Sequence, residues 1–414
     1  MKFSHLTASL ALALPLLMGC RSDESLNPPE PAGGELFARY VAMGNSITAG
    51  FQSAGINDST QRQSYAVLFA NAAGAAFNIP SLQGRGCAPP FTNNVTQERV
   101  GGGDATTCDL RAATPAPPPF ISNVAVPGAR VQELLTNFGT PVSSANALTT
   151  FILGGRTQIE AMQDVRPTFV SLWIGNNDVL GALTSGTNPG DPALVTPLAT
   201  FQSQYGEVLD SIEATGAQAA LISVADVTVI PFTSAGSTYW CLKMGVCPGV
   251  PPAPFPPNFL VDNSCAPAVV NPAAVGDSTR IPWTIGVDRI ATAAGDPGNT
   301  YTVDCTLDAE VVTPSELANL AQAVTDFNAF ISGEAGSRGW AYVDINPTLQ
   351  AEVGGQIPLF PDISAALTGG SVDFGPLFSL DGVHPSAAAH RLVADLLATE
   401  VNQTFDTSVP VPVP

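Results

Sequence analysis

The chain has 414 residues, 45% of them hydrophobic and 12% charged, the composition of a globular protein with room for a large core in one or two domains. Lys and Arg number 15 against 35 Asp and Glu, a net charge of −20. Such an acidic surface repels phosphate backbones, which excludes nucleic acid as a partner.

In chain order, Lys2 opens a largely apolar segment over residues 6–18 that is too short to span a membrane as a helix. It ends Leu17-Met18-Gly19-Cys20, which resembles the bacterial lipobox. The expectation is a signal peptide over 1–19, lipidation at Cys20 and a Pro/Gly-rich tether over 20–35. Several acyl chains on one cysteine anchor stably where a single chain does not. The protein is then an exported lipoprotein of the cell envelope, outer-membrane or periplasm-facing, with the membrane as a partner through its anchor. Export leaves six cysteines in an oxidising compartment: Cys87, Cys108, Cys241, Cys247, Cys265 and Cys305. Each falls in an unpatterned loop, so neighbours are expected to pair as Cys87–Cys108, Cys241–Cys247 and Cys265–Cys305. No Cys-x-x-Cys pair occurs and the mature chain keeps only His384 and His390, so neither a metal site nor a cofactor is expected.

The apolar run 37–43 reads as a buried parallel strand that stops at Gly44 and presents Ser46. A helix is expected over 65–77, then a Gly/Pro-rich loop over 84–119. Strands follow over 121–126, ending Pro127-Gly128-Ala129, and over 168–174, ending Gly175-Asn176-Asn177-Asp178. A helix over 131–138 lies between them. After a helix over 198–214 and a strand over 219–224, residues 231–313 lose periodicity and become Pro-rich, as a cap or lid insertion would. Its Trp240, Phe255, Phe259 and Trp283 are too many aromatics for a solvated loop, and a wall of the substrate pocket is one use for them. Pro314 opens a helix over 315–331. A fifth strand spans 340–345, Asp381-Gly382-Val383-His384 follows, and a last helix covers 386–401. Strands alternating with helices imply a parallel five-stranded sheet in an α/β/α sandwich. The domain is expected over 36–404, with a disordered tail over 405–414.

Gly44-Asn45-Ser46, Gly128, Gly175-Asn176-Asn177-Asp178 and Asp381-Gly382-Val383-His384 stand in order along one α/β chain. Together they resemble the SGNH/GDSL hydrolases, whose blocks are Gly-Asp-Ser, a glycine, Gly-x-Asn-Asp and Asp-x-x-His. The resemblance spans about 37–401 and implies a flavodoxin-like fold and a serine esterase acting through an acyl-enzyme. A serine needs a base to attack at neutral pH, and His384 is that base by elimination. His390 borders the apolar stripe of the last helix and reads as a half-exposed structural residue. Asp381, three residues before His384, can fold back to orient its ring. The resemblance supplies the oxyanion donors: the backbone N–H groups of Ser46 and Gly128 and the side-chain amide of Asn177. It departs at Asn45, where the family has Asp, and altered local hydrogen bonding is expected there. Within this reading a monomer acts on a small-molecule, lipid or glycan ester. A non-catalytic envelope protein of the same fold, binding glycan or lipid, is the alternative.

Overall fold

In a computed structural model the run around Met43 forms strand β1, Tyr40–Gly44, with every residue buried. The structure describes residues 34–109, 120–136, 146–247 and 253–411; the expected lipidation at Cys20 and the signal segment lie outside them. Beside β1 run β2 (Phe169–Trp173), β3 (Gln218–Ile222) and β4 (Ala341–Val343). They form a four-stranded sheet in the order β1-β2-β3-β4, and every pair is parallel. The helices that bear on the site are α1 (Ser46–Ala49), α2 (Tyr65–Ala73), α3 (Asn177–Leu183), α4 (Leu198–Glu213), α5 (Trp283–Gly295), α6 (Pro314–Arg338), α7 (Asn346–Ala351) and α8 (Ala387–Phe405).

The three layers follow from the two-residue period of the strands. Val41, Met43, Val170, Leu172 and Leu221 face Phe201 and Leu209 of α4 and Phe327 of α6. Tyr40, Ala42, Phe169 and Ala220 face the other way, onto Phe69 of α2 and Leu397 of α8. Helices therefore cover both faces, and the carboxyl ends of β1 and β2 open at one edge of the sheet.

One expected strand is incomplete. Residues 121–126 lie alongside β1, but only a single bridge, Ala42 to Asn123, is regular. The ladder begins with Ala42 N donating to Ser122 O and Val124 N to Ala42 O, both at 2.9 Å. It then skips a rung, because Gly44 N is taken by the buried Gln158 side chain at 3.0 Å, and resumes only with Val126 N donating to Gly44 O at 3.2 Å. The sheet thus has four strands where five were expected.

The insertion is not an unpatterned loop. Thr233–Ala235 pairs antiparallel with Arg280–Pro282, and Phe259–Val261 pairs parallel with Tyr301–Val303. Helices Gly236–Met244 and α5 complete it around a core that includes Tyr239, Phe259, Ile290 and Phe374. Short elements divided by prolines hide their period from a sequence window. The cysteines pair as neighbours: Cys87–Cys108, Cys241–Cys247 and Cys265–Cys305. The expected disordered tail is also corrected through residue 411. Phe405 still belongs to α8, and Val409 is buried, with N and O both bonded to the Asn402 side chain.

Candidate active site

Ser46 is the first residue of α1, immediately beyond the end of β1. The chain turns there through Gly44, at φ 151°, where a Cβ would lie 2.3 Å from Trp173 O. Only glycine fits so close a crossing. Gln158 holds this corner from both sides, accepting from Gly44 N and donating to Gly44 O at 2.8 Å. Asn45 then caps α1, its Oδ1 accepting from Ile47 N at 3.0 Å. Its Nδ2 lies 3.5 Å from Asn176 Oδ1 as donor, a contact that an ionised Asp, having no donor, cannot make. The altered hydrogen bonding expected at this position is therefore a link between two of the four blocks.

His384 comes 338 positions later, on the turn that precedes α8. Asp381 shapes that turn: its Oδ1 accepts from Val383 N at 2.9 Å and His384 N at 2.8 Å. Its Oδ2 takes Ala54 N at 2.6 Å and lies 2.9 Å from His384 Nδ1. Burial works to raise the Asp381 carboxyl, but the facing His384 and the hydrogen bonds from His384 and Ala54 override it and hold the group down at about 2. A carboxylate that stays ionised can only accept, so the Nδ1 proton points at it and Nε2 is left as the acceptor. Nε2 lies 2.9 Å from Ser46 Oγ. Phe51 packs beside the imidazole at 4.8 Å between ring centres.

Asn177 opens α3 and donates from Nδ2 to Ala129 O at 2.9 Å, which fixes its amide and leaves the second N–H free. Asp178, next in sequence, accepts from Val131 N at 3.1 Å and from the Thr196 hydroxyl at 2.8 Å. These two neighbours tie down the segment that follows Gly128. Gly128 has φ 81° and only Asn146 Nδ2, at 3.5 Å, near a Cβ position. Among the described residues neither the Ser46 nor the Gly128 backbone N–H is bonded within the protein.

Ser46, Asn177 and His384 line one narrow cleft of about 100 Å³; Gly128 does not. Its other walls are mostly apolar, among them Ile47, Leu180, Val227, Ile230, Leu349 and Leu396, with Asn45, Asn176, Thr348 and Glu352 the polar exceptions. Among the described residues none of its lining falls within 231–313, so the described part of the insertion does not wall this pocket. Trp240 and Phe259 pack the insertion's own core, Phe255 lies against that core, and Trp283 faces a different hollow.

His390 is corrected from half-exposed to fully buried. Its helix is covered by α2, whose Tyr65 N donates to His390 Nδ1 at 3.3 Å; an apolar stripe read on α8 alone cannot foresee that contact. Burial, assisted by the nearby His384, pushes this imidazole down to about 3. Burial pushes Asp178 the other way, up to about 6, against its hydrogen bonds from Thr196 and Val131. The signs give a test by thermal unfolding. Below about 6.5 the unfolded chain protonates His390 and the fold does not, so stability falls by about 1.4 kcal/mol per pH unit. Between about 6 and 4 the fold keeps a proton on Asp178 that the unfolded chain loses, which offsets that slope. His390→Gln should therefore make the protein relatively more stable from pH 6 to 4, and Asp178→Asn relatively less. Parallel pH profiles for the two variants would refute the assignment.

Sequence reasoning missed Gln158, although Thr157 and Glu160 form a capping box at the start of its helix, the pattern [ST]-x-x-[DE] that marks an N-terminus. It also missed the Ala54 N–H on Asp381, for which no local signal exists.

Residues 40–397 match the sequence model of the GDSL-like Lipase/Acylhydrolase family. No curated protein matches the chain. Similar solved structures include an extracellular lipase from Streptomyces rimosus, at 14% identity over 87% of this chain and 98% of that one, TM-score 0.36. Another is a catalytic mutant of an acetylxylan esterase from Geobacillus stearothermophilus, at 10% identity over 89% and 94%, TM-score 0.36.

Proposed function

We propose a mechanism for a chain that belongs to the GDSL-like lipase/acylhydrolase family and is an ester-hydrolysing serine hydrolase: Ser46 is its nucleophile, His384 its base and Asp381 the group that orients the base. Ser46 Oγ bonds to the acyl carbon while its proton passes to His384 Nε2. The carbon–oxygen bond to the alcohol then breaks, and His384 returns the proton to the leaving oxygen. Water repeats the sequence on the acyl-enzyme and frees the acid. Asp381 stays ionised throughout and stabilises the imidazolium. The N–H groups of Ser46, Gly128 and Asn177 Nδ2 receive the oxyanion. No metal or cofactor enters any step.

The observation that carries this reading is the unbroken chain of two 2.9 Å contacts from Asp381 through His384 to Ser46. The apolar cleft beside Ser46 is the place for the acyl group. Each methylene buried there is worth about 0.8 kcal/mol, or about fourfold in kcat/KM. Rates on p-nitrophenyl esters should therefore climb from acetate to octanoate, and a fluorophosphonate should label Ser46. Failure to label a folded protein would favour the non-catalytic binding protein. A flat or falling acyl series would remove the cleft from the mechanism.

Three disulfides favour an oxidising compartment, and no described helix is long and apolar enough to cross a membrane. Export as a lipoprotein, with lipid on Cys20 and a tether to a domain over 36–404, completes the proposal. Mass spectrometry of the membrane-extracted protein tests it: a Cys20→Ala variant should be released from the membrane.

A further inference from the structure

His384 and Val383 line the acyl cleft and also a second hollow, of about 320 Å³, that contains neither Ser46 nor Asn177. Its aromatic walls are Phe51, Phe91, Phe232 and Trp283. The last two belong to the insertion. They are locked together, because Trp283 N donates to Phe232 O at 2.9 Å. Trp283 packs edge-on against Phe374, 5.6 Å between ring centres, and Phe374 in turn sits where a Cβ on Gly382 would be 2.8 Å from it. The insertion is thus braced against the turn that carries Asp381 and His384. The hollow continues, through Asn94, Gln97, Trp283 and Thr284, into a further space of about 510 Å³ beside α5.

The chemistry of ester cleavage assigns the two spaces. The acyl carbon must meet Ser46 Oγ and its oxygen the Asn177 amide, so the acyl chain lies in the cleft that holds both. The leaving oxygen must meet the imidazole, so the alcohol departs on the side that His384 faces without them. We propose that the insertion builds this leaving-group half of the site, and that its aromatic hollow selects esters of bulky, apolar, ring-bearing alcohols. The proposal rests on the esterase reading above.

Wall polarity sets the alcohol class. The Asn94 amide is spent on Val372 O and Leu380 O, and its Oδ1 on Val372 N. The Arg99 guanidinium covers one face of Phe91 at 4.0 Å and donates to Ala54 O and Pro89 O. Asp381 is committed to His384 and Ala54. Among the described lining side chains, Gln97 and Thr284, both exposed at the rim, and the unpartnered Trp283 indole N–H remain for polar contacts. A sugar would leave most of its hydroxyls unpaired there, which costs far more than an apolar ring does.

The test compares octanoate esters of methanol, 2-naphthylmethanol and methyl glucoside, alcohols that differ in bulk and polarity more than in leaving ability. Wild-type kcat/KM should be highest for the naphthylmethyl ester, by about tenfold or more over methyl. Trp283→Ala should lower the naphthylmethyl-to-methyl ratio by about tenfold. Because Trp283 is packed on Phe374, Thr284→Trp serves as a second variant: it fills the mouth from an exposed position and should lower the same ratio. A glucoside preference, or a ratio unmoved in both variants, would overturn the leaving-group assignment. Fluorophosphonate labelling of Ser46 separates the two ideas: an unlabelled, inactive wild type sinks the esterase reading itself, whereas a labelled, active enzyme without alcohol preference sinks only this inference.

Discussion

Ser46→Ala and His384→Ala are each expected to lower kcat on an octanoate ester by about 10⁴- to 10⁶-fold, and the double variant no further than the worse single one. The base has no work without the hydroxyl whose proton it takes, and the hydroxyl is a weak nucleophile without the base, so the losses overlap. Both side chains are at most part-exposed and neither fills the core, so the variants should melt near the wild type. His390→Gln is the control. It replaces a ring that only accepts from Tyr65 N, and it should shift stability while turnover survives. Inactivation by His390→Gln in a folded protein, with His384→Ala active, would reverse the assignment of the base.

Asn177→Ala should lower kcat by about 10²- to 10³-fold with little change in KM, the loss expected when one preorganised oxyanion donor is removed. The amide qualifies because Ala129 O holds one of its protons at 2.9 Å and so aims the other without help from substrate. The oxyanion exists only in the transition state and intermediate, which is why the loss falls on kcat. Asn177→Asp is the sharper variant: it keeps the shape, removes the donor and opposes a developing negative charge, so it should be at least as slow as Ala. A loss below about tenfold in both would mean that the backbone N–H groups carry the oxyanion alone.

Some of this was legible along the chain because it is local. Ser46 follows a strand that is apolar at every position but Arg39 just before it, and Asp381 reaches His384 across a three-residue turn. The disulfides join neighbours in sequence, and Pro314 marks the start of α6 as its first residue. Apart from Cys265–Cys305, which spans α5, the partners lie within a few residues or one short stretch of chain, so residue type and spacing constrain the geometry.

Other features depend on which surfaces meet, and no local pattern encodes that. The expected strand over 121–126 pairs only in part with β1 because Gln158, 114 residues from Gly44, takes the Gly44 N–H. His390 is buried because α2 packs across α8. The insertion's aromatics could be counted from the sequence, but the side of His384 that they wall is decided by how two strand pairs and a helix dock on the turn that carries Asp381 and His384. The sequence by itself determined the residues of the proposed chemistry, Ser46, His384 and Asp381 in order on an α/β frame. The division of space around that chemistry came only with tertiary packing, because the walls of each pocket are drawn from segments hundreds of residues apart, held by long-range contacts that spacing along the chain does not record.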